Sequence, residues 1–297
     1  MIVSNTTLGR LEGLISTLFN GLALFCIKAS PYSAKEVIFF RGIINVVILY
    51  CQATINKDDL FVGWQTIRKC LTRGVYGMIS VYFMVLSNKR LSLSVHTVLG
   101  SLNVFVVILM NTIHLGNRLK IISVFMAVTA IIGVLLVIQP GVFGLGSVDG
   151  KGLDLKWTIT EFLGLLASGC YILSSSMARV YTANISKEVG MVQNVFYLNL
   201  CLTLLSAILI ILEPIQYPLM SMTEVIGVAV FAYLFQVVND DAMKREPDTA
   251  IIAILQNKVI LVSLCLDVMF LGSSVSLPNL IGIASIVVST AACIACK

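Results

Sequence analysis

A charged side chain interrupts a long apolar stretch near the C-terminus. Lys258 lies near the middle of Thr249–Leu271, which is otherwise suited to cross a bilayer. A lysine at mid-membrane costs about 2.5–3.5 kcal/mol on insertion scales, so it is expected to face a cavity or a partner. We predict that Lys258, with Gln256 and Asn257 beside it, binds an anionic substrate group such as a carboxylate or phosphate. A structural ion pair is the alternative interpretation.

Asn103 stands at the position in the first half of the chain that corresponds to Lys258. Each of these residues follows a lysine, Lys89 or Lys244, by fourteen positions. His96 precedes Asn103 by two helical turns and shares its predicted face, which forms one polar stripe. We predict that Asn103 and His96 contact substrate or a proton, and hydrogen bonding of His96 to a neighbouring helix is the alternative.

Further polar residues lie within apolar stretches. Arg41 lies about two turns into one stretch, where it binds an anion or pairs with an acid as a gate. Asn20 and Tyr76 are weaker candidates for substrate contact. Gln236 and Asp240 share one helical face, and we predict a coupling or gating role for them, with Asp240 carrying a proton or cation.

The composition requires an environment other than water. Of the 297 residues, 58% are hydrophobic and 12% charged, with a mean hydropathy of +0.97. A soluble domain would carry about a quarter charged residues, so lipid must coat this chain. The net charge of +5 comes from scattered Lys and Arg, with no basic stripe that would indicate a nucleic-acid partner. We predict an all-α integral membrane protein in the lipid bilayer.

The apolar stretches are long enough for ten spans of about 20 residues each. The predicted spans are Leu11–Ser30, Lys35–Ala53, Leu71–Asn88, Ser92–Leu115, Leu119–Pro140, Thr158–Val180, Glu188–Leu212, Thr223–Met243, Thr249–Leu271 and Asn279–Cys296.

The two halves of the chain look related. Lys89-Arg90 and Lys244-Arg245 each precede an apolar stretch that ends in Leu-Gly, and another apolar span follows. Because five spans per half is an odd number, the second half enters from the opposite side as an inverted repeat. We predict five-helix repeats at 1–140 and 158–297, joined by a 141–157 loop, as one transport domain with a midplane site.

The positive charges between spans predict the orientation. With the N-terminus inside, the inner side carries twelve Lys or Arg, among them Arg73 and Arg179, and the outer side carries six. This bias predicts that both termini are cytosolic. The choice between plasma membrane and endomembrane stays open, as does the formation of a homodimer.

Four stretches resemble the drug/metabolite transporter superfamily, whose members have two five-span EamA-type repeats. The stretches are Phe39–Gly42, Ser87–Ser92, Gly133–Pro140 and Ala242–Gly272. The end of span five looks most like eukaryotic solute-carrier 35-type relatives. The resemblance implies that spans four and nine line a central cavity that contains Asn103 and Lys258.

These observations predict a transporter rather than an enzyme. The sequence has no HExxH, GxSxG or phosphate-binding loop, so we predict no catalytic residue, cofactor or metal site. We expect alternating access for a small polar organic solute, in particular an anion, with exchange or proton coupling. The alternatives are a broad-specificity metabolite or amine exporter, a divalent-cation transporter, which Lys258 opposes, and a non-transporting membrane scaffold.

Overall fold

The structure, a computed structural model, describes residues 5–61, 63–103, 105–107, 109–110, 128–129, 132–133, 136, 159–185, 189–213, 222–245, 252, 255–256, 258–270 and 277–295. Regular structure in these residues is helical. Within these described residues, nine helices are found: α1 (Asn5–Ala29), α2 (Ala34–Asn56), α3 (Trp64–Arg90), α4 (Leu93–Ser101), α5 (Ile159–Ile185), α6 (Met191–Leu212), α7 (Met222–Arg245), α8 (Val259–Phe270) and α9 (Leu277–Ala295).

Six of these helices are long and apolar enough to cross a membrane, namely α1, α2, α3, α5, α6 and α7. A helix satisfies its backbone hydrogen bonds internally, which lipid requires because it offers no partners. The predicted all-α multi-pass membrane protein is confirmed at this level. Ten spans and two inverted repeats stay predictions, and most of the predicted fifth span and the whole 141–157 loop lie outside the described residues.

Three helices extend past their predicted spans by five or more residues at one end. Helix α1 begins at Asn5 rather than Leu11, α3 begins at Trp64 rather than Leu71, and α5 continues to Ile185 rather than ending at Val180. Charged residues near these ends lower the local hydropathy, but they do not interrupt the backbone hydrogen bonding of a helix. Arg73 and Arg179 therefore lie more than one turn inside their helices.

Local capping fixes both ends of α2. The backbone N–H of Ser33 donates to the Glu36 carboxylate at 2.7 Å, so the start of α2 forms a capping box. At the other end of α2, Lys57 adopts a left-handed conformation with φ of 58° and donates its N–H to the Ala53 carbonyl. Only short links therefore separate α2 from α1 and α3.

The helices pack in pairs that join the two halves of the chain. Helix α1 packs along α7, and α3 packs along α5. Helix α2 contacts α6, and α4 contacts α8. These contacts are symmetric between the two halves of the chain. If α1 to α4 are exchanged in order with α5 to α8, the α1–α7 contact becomes the α3–α5 contact, and the α2–α6 and α4–α8 contacts are unchanged.

Glycines allow the closest approaches between these helices. A Cβ at Gly42 of α2 would lie 3.2 Å from the backbone nitrogen of Thr203 in α6. A Cβ at Gly77 of α3 would lie 2.5 Å from Leu198 Cδ1, also in α6. Small residues at such contacts let helix backbones approach in a membrane, where packing replaces the hydrophobic effect.

Two apolar clusters occupy opposite ends of the bundle. One contains the C-terminal part of α1 and the N-terminal part of α2, with Ile27, Ile38 and Val85 fully buried. The other joins the far end of α2 to the start of α6 through Leu49 and Val195. The polar residues of the bundle lie mainly between these clusters.

Candidate functional site

A central cavity with two connected lobes lies between the helices. The cavity volume open to the centre of a water-sized sphere is about 130 Å³ in the larger lobe and about 30 Å³ in the smaller. Asn20, Leu24, Tyr171 and Arg179 line both lobes. All helices from α1 to α8 contribute at least one lining residue, so both halves of the chain form the wall.

The lining residues follow helical periodicity. Helix α7 contributes Ala232, Phe235, Gln236, Asn239 and Asp240, which recur at steps of three and four. This spacing places them on one face of a helix with 3.6 residues per turn. The face of α7 that lines the cavity therefore also holds the polar residues Gln236, Asn239 and Asp240, which lie inside the helix bundle.

The larger lobe is rich in arginine, and we call it the arginine lobe. Arg41, Arg73 and Arg179 line it, and Asp240 is the one carboxylate among its described lining residues. Arg73 donates from Nε to Thr182 Oγ1 at 3.0 Å and from Nη1 to the Asn194 carbonyl at 3.5 Å. With these groups ionised, the wall has an excess of positive charge.

Arg41 is the least satisfied of these cations. Only 3% of its surface is exposed, and its Nε has no hydrogen-bond partner in the described part of the chain. A buried charge without a counter-charge is costly in a low-dielectric interior. The Arg41 guanidinium is therefore suited to an anion that enters the cavity.

Asp240 belongs to a network of amide side chains centred on α6. Asn194 Nδ2 donates to Asp240 Oδ2 at 2.8 Å, and Asn199 Nδ2 donates to Gln236 Oε1 at 3.1 Å. Asn45 Nδ2 donates to Asn199 Oδ1 at 3.4 Å, which extends the network to α2. Because Asn194 contacts both Arg73 and Asp240, it links the cationic and anionic groups of the arginine lobe.

The smaller lobe is lined mainly by uncharged hydrogen-bonding groups, and we call it the neutral lobe. Apart from the four shared residues, its lining is His96, Thr97, Gly100, Ser101, Asn103, Gln256 and Val259. All five polar side chains of this set have protein partners. Thr97 Oγ1 donates to the Leu93 carbonyl at 3.0 Å, and Ser101 Oγ donates to the Val98 carbonyl at 2.6 Å. His96 Nδ1 and Ser87 Oγ lie 2.9 Å apart, Ser176 Oγ donates to Asn103 Oδ1, and Gln256 Nε2 donates to Asn239 Oδ1.

Two features of the neutral lobe make no hydrogen bond to the described protein, namely an amide oxygen and the face of an aromatic ring. The Oε1 atom of Gln256 is buried and has no partner among the described residues. The aromatic ring of Tyr171 lies with its centroid 5.7 Å from that of His96, at an interplanar angle of 30°. This lobe therefore combines a free acceptor with an aromatic surface.

Most of the predicted site residues lie in this cavity. His96, Asn103 and Gln256 line the neutral lobe, and Arg41, Gln236 and Asp240 line the arginine lobe, while Asn20 lines both. Tyr76 instead stacks on Tyr181 with ring centroids 5.3 Å apart, and it is not among the lining residues of either lobe. Asn257 lies outside the described residues.

Lys258 does not line this cavity. Its side chain is exposed, and it is absent from the lining of both lobes, although Gln256 and Val259 line the neutral lobe. Residues one and two positions apart point in different directions on a helical turn, so Lys258 points away from the side that Gln256 and Val259 share. The predicted contact of Lys258 with a cavity substrate therefore has no support in this geometry.

Arg73, Arg179 and Tyr171 are among the lining residues that sequence reasoning missed. The two arginines lie near the ends of predicted spans three and six, where a positive charge indicates a residue that flanks the membrane. The signal that could have identified Arg73 is its helical spacing to Gly77, Ser80, Val81 and Met84, which line the same lobe.

The metal-binding groups of the described residues do not cluster. No group of three or more His, Cys, Asp or Glu side chains that could hold a metal ion occurs within that part of the chain. The titratable groups of the cavity wall are instead arginines, a histidine and a single described aspartate.

Comparison with known proteins shows that part of the chain is similar to transporters. Residues 7–139 match the EamA-like transporter family. The pseudopaline exporters CntI of Pseudomonas aeruginosa strains UCBPP-PA14 and PAO1 are each 23% identical to this chain over 140 residues. That match covers 47% of this chain and 48% of each exporter, so the chain spans about half the length of the curated relatives it matches.

One solved crystal structure shares the fold over almost the whole chain. It is 17% identical in sequence, with a TM-score of 0.68, and the match covers 95% of both chains. At this identity the likeness shows the fold alone. Residues 7–139 of this multi-pass membrane protein therefore resemble the EamA-like transporter family, which is a family of transporters rather than of enzymes.

Proposed function

We propose that this protein carries a small organic anion across the membrane through the central cavity. The observation that carries the proposal is Arg41, a buried guanidinium in the cavity wall whose Nε lacks a partner among the described residues. Arg73 and Arg179 add positive charge to the same lobe, against Asp240. A carboxylate or phosphate would supply the charge and the acceptor oxygens that these guanidinium groups lack.

We propose alternating access around this cavity as the mechanism. Transporters built from inverted repeats place the substrate site near the midplane, between the repeats. Support comes from the wall, to which both halves of the chain contribute, and from the reciprocal packing of α1 on α7 and α5 on α3. The same reciprocity supports the ten-span inverted repeat, with 1–140 and 158–297 as its halves.

Asp240 is the proposed coupling residue. It lines the arginine lobe and accepts a hydrogen bond from Asn194, whose carbonyl contacts Arg73. Protonation of Asp240 would remove a negative charge that competes with the substrate for the arginines. Proton binding and anion binding would then favour one another. Without this coupling, the same cavity would support exchange of one anion for another.

The alternative cargoes fit the cavity less well. Asp240 could attract an amine, as an amine exporter requires, but three arginines in the same lobe oppose a cation. A divalent cation meets the same opposition. The bacterial relatives are named as exporters of pseudopaline, which supports transport of a small solute by this fold family. A closer relation to solute-carrier 35-type proteins stays a prediction from residues 133–140.

The test is flux in proteoliposomes that contain the purified protein. Vesicles are loaded with one unlabelled organic anion at a time, and uptake of the same labelled anion from outside is measured. We expect counterflow above protein-free vesicles for at least one member of a panel of small carboxylates and phosphate monoesters. Absence of counterflow across the panel, with protein that remains monodisperse, would contradict the proposal.

A further inference from the structure

We infer that the neutral lobe binds an uncharged, hydrogen-bonding part of the same solute whose anionic group is held in the arginine lobe. The inference rests on the proposed function and adds the chemical class of the cargo. That class is an organic anion with hydroxyl or amide groups on the side away from the anionic group.

The continuity of the two lobes is the first observation. Asn20, Leu24, Tyr171 and Arg179 belong to the wall of both lobes, so a single solute can reach from one to the other. Arg179 lies at this shared wall and is the one charged residue among the described lining of the neutral lobe. The charge of the cavity is therefore concentrated on one side.

The chemistry of the neutral lobe is the second observation. His96, Thr97, Ser101, Asn103 and Gln256 are at most 5% exposed, yet all of them line the lobe. Each of them already has one protein partner, but hydroxyl, amide and imidazole groups can make further hydrogen bonds, which an alkyl group in this lobe could not supply. Hydroxyl or amide groups on the solute would exchange hydrogen bonds with them instead.

Gln256 supplies the specific contact. Its amide nitrogen donates to Asn239, and this bond fixes the side chain. Its Oε1 is buried without a partner among the described residues, so it can accept a hydrogen bond from a solute donor. A buried acceptor that gains a donor only when the solute is present discriminates against solutes that lack the donor.

Matched pairs of solutes test the inference. Sorbitol phosphate and hexyl phosphate share a phosphate group and a linear six-carbon chain, and differ in the hydroxyl groups. Galactarate and adipate are the corresponding pair of dicarboxylates. Counterflow of each labelled compound is measured in the same preparation of proteoliposomes, and the ratio of hydroxylated to unsubstituted solute is the readout.

We expect the hydroxylated member to be carried faster in whichever pair is transported. Gln256→Leu and Asn103→Leu should lower this ratio by about three- to tenfold, the effect of losing a hydrogen bond. Gln65→Leu, at an exposed glutamine in the first turn of α3, should leave the ratio unchanged. Flux of the unsubstituted member in each variant reports that the variant folds.

The results separate this inference from the proposed function. If neither pair is transported but other organic anions are, the cargo does not belong to the inferred class of hydroxylated anions, and the inference is overturned. Equal flux of both members, or a ratio that Gln256→Leu and Asn103→Leu leave unchanged, also overturns it while the proposed function stands. If no organic anion is carried at all, the proposed function itself fails.

Discussion

At the scale of single residues, Arg41 gives the sharpest prediction. Arg41→Gln removes a buried guanidinium but keeps a polar side chain in α2. A charge-assisted hydrogen bond contributes about 1.5–3 kcal/mol, so loss of it should reduce anion counterflow about tenfold or more. Arg68→Gln, at an exposed arginine in α3, is the matched control and should keep the wild-type rate.

The thermal stability of the same variant distinguishes binding from a structural role. Removing a buried cation that lacks a partner relieves its desolvation cost, so Arg41→Gln should be at least as stable as the wild type without solute. A structural ion pair would have the opposite effect, because its loss leaves an unpaired acid. A clear fall in the melting temperature of Arg41→Gln would therefore remove Arg41 from the binding site.

Asp240 gives a second prediction at this scale. Asp240→Asn removes the carboxylate charge, and its amide oxygen can still accept from Asn194 Nδ2. If Asp240 couples anion movement to protons, the variant should retain counterflow but lose accumulation driven by an imposed pH gradient. Accumulation that persists in Asp240→Asn would assign coupling to another group or to exchange.

The site residues were predictable where a polar side chain interrupts an apolar run. His96, Asn103 and Gln256 have this pattern, and each lines the neutral lobe. Lys258 has the same pattern but is exposed, because the direction of a side chain depends on the local turn that precedes α8. Arg73 was missed because it lies near the end of a predicted span and close to other charged residues, whereas α3 begins at Trp64 and places it well inside the helix.

At the scale of the elements, glycine contacts determine how closely the helices pack. Gly42→Ala would place a methyl group 3.2 Å from the backbone nitrogen and 3.3 Å from the Cα of Thr203. Backbone cannot rotate away, so α2 and α6 must separate, at a cost of about 1–3 kcal/mol for overpacking. We expect a lower melting temperature for this variant in detergent.

Gly169 offers the matched control for that substitution. It lies within α5, and a Cβ there would meet no atom within 4 Å. Gly169→Ala should be neutral or stabilising, because alanine has the higher helix propensity by about 1 kcal/mol. Equal effects of Gly42→Ala and Gly169→Ala on the melting temperature would show that the α2–α6 contact is not tightly packed.

The helices were easier to predict than their ends. Apolar runs of about 20 residues identify membrane spans, because a backbone in lipid has few alternatives to the helix for satisfying its hydrogen bonds. Hydropathy does not report where a helix continues past the hydrocarbon region, as α3 and α5 do. Which helices pair, such as α1 with α7, depends on tertiary packing that single-sequence periodicity does not contain.

At the scale of the whole molecule, the orientation follows from the charges between spans and stays a prediction. Arg73 and Arg179 no longer count as charges between spans, since both line the arginine lobe, and the remaining ten inner charges against six outer ones still favour cytosolic termini. In a eukaryotic host, an engineered glycosylation sequon in an enlarged 141–157 loop should be modified, and one in an enlarged 57–63 link should not. The reverse pattern would invert the orientation, and modification at both would break the ten-span count.

The central claim is that the cavity selects organic anions, and sign selectivity measures it most directly. Counterflow of labelled organic anions and of amines of matched size, such as succinate, malate and putrescine, is compared in the same proteoliposomes, with wild-type protein and Arg41→Gln. The account predicts flux of at least one anion that falls in Arg41→Gln, and no flux of the amines. Amine flux that Arg41→Gln leaves unchanged or increases, with no anion flux in the wild type, would contradict it.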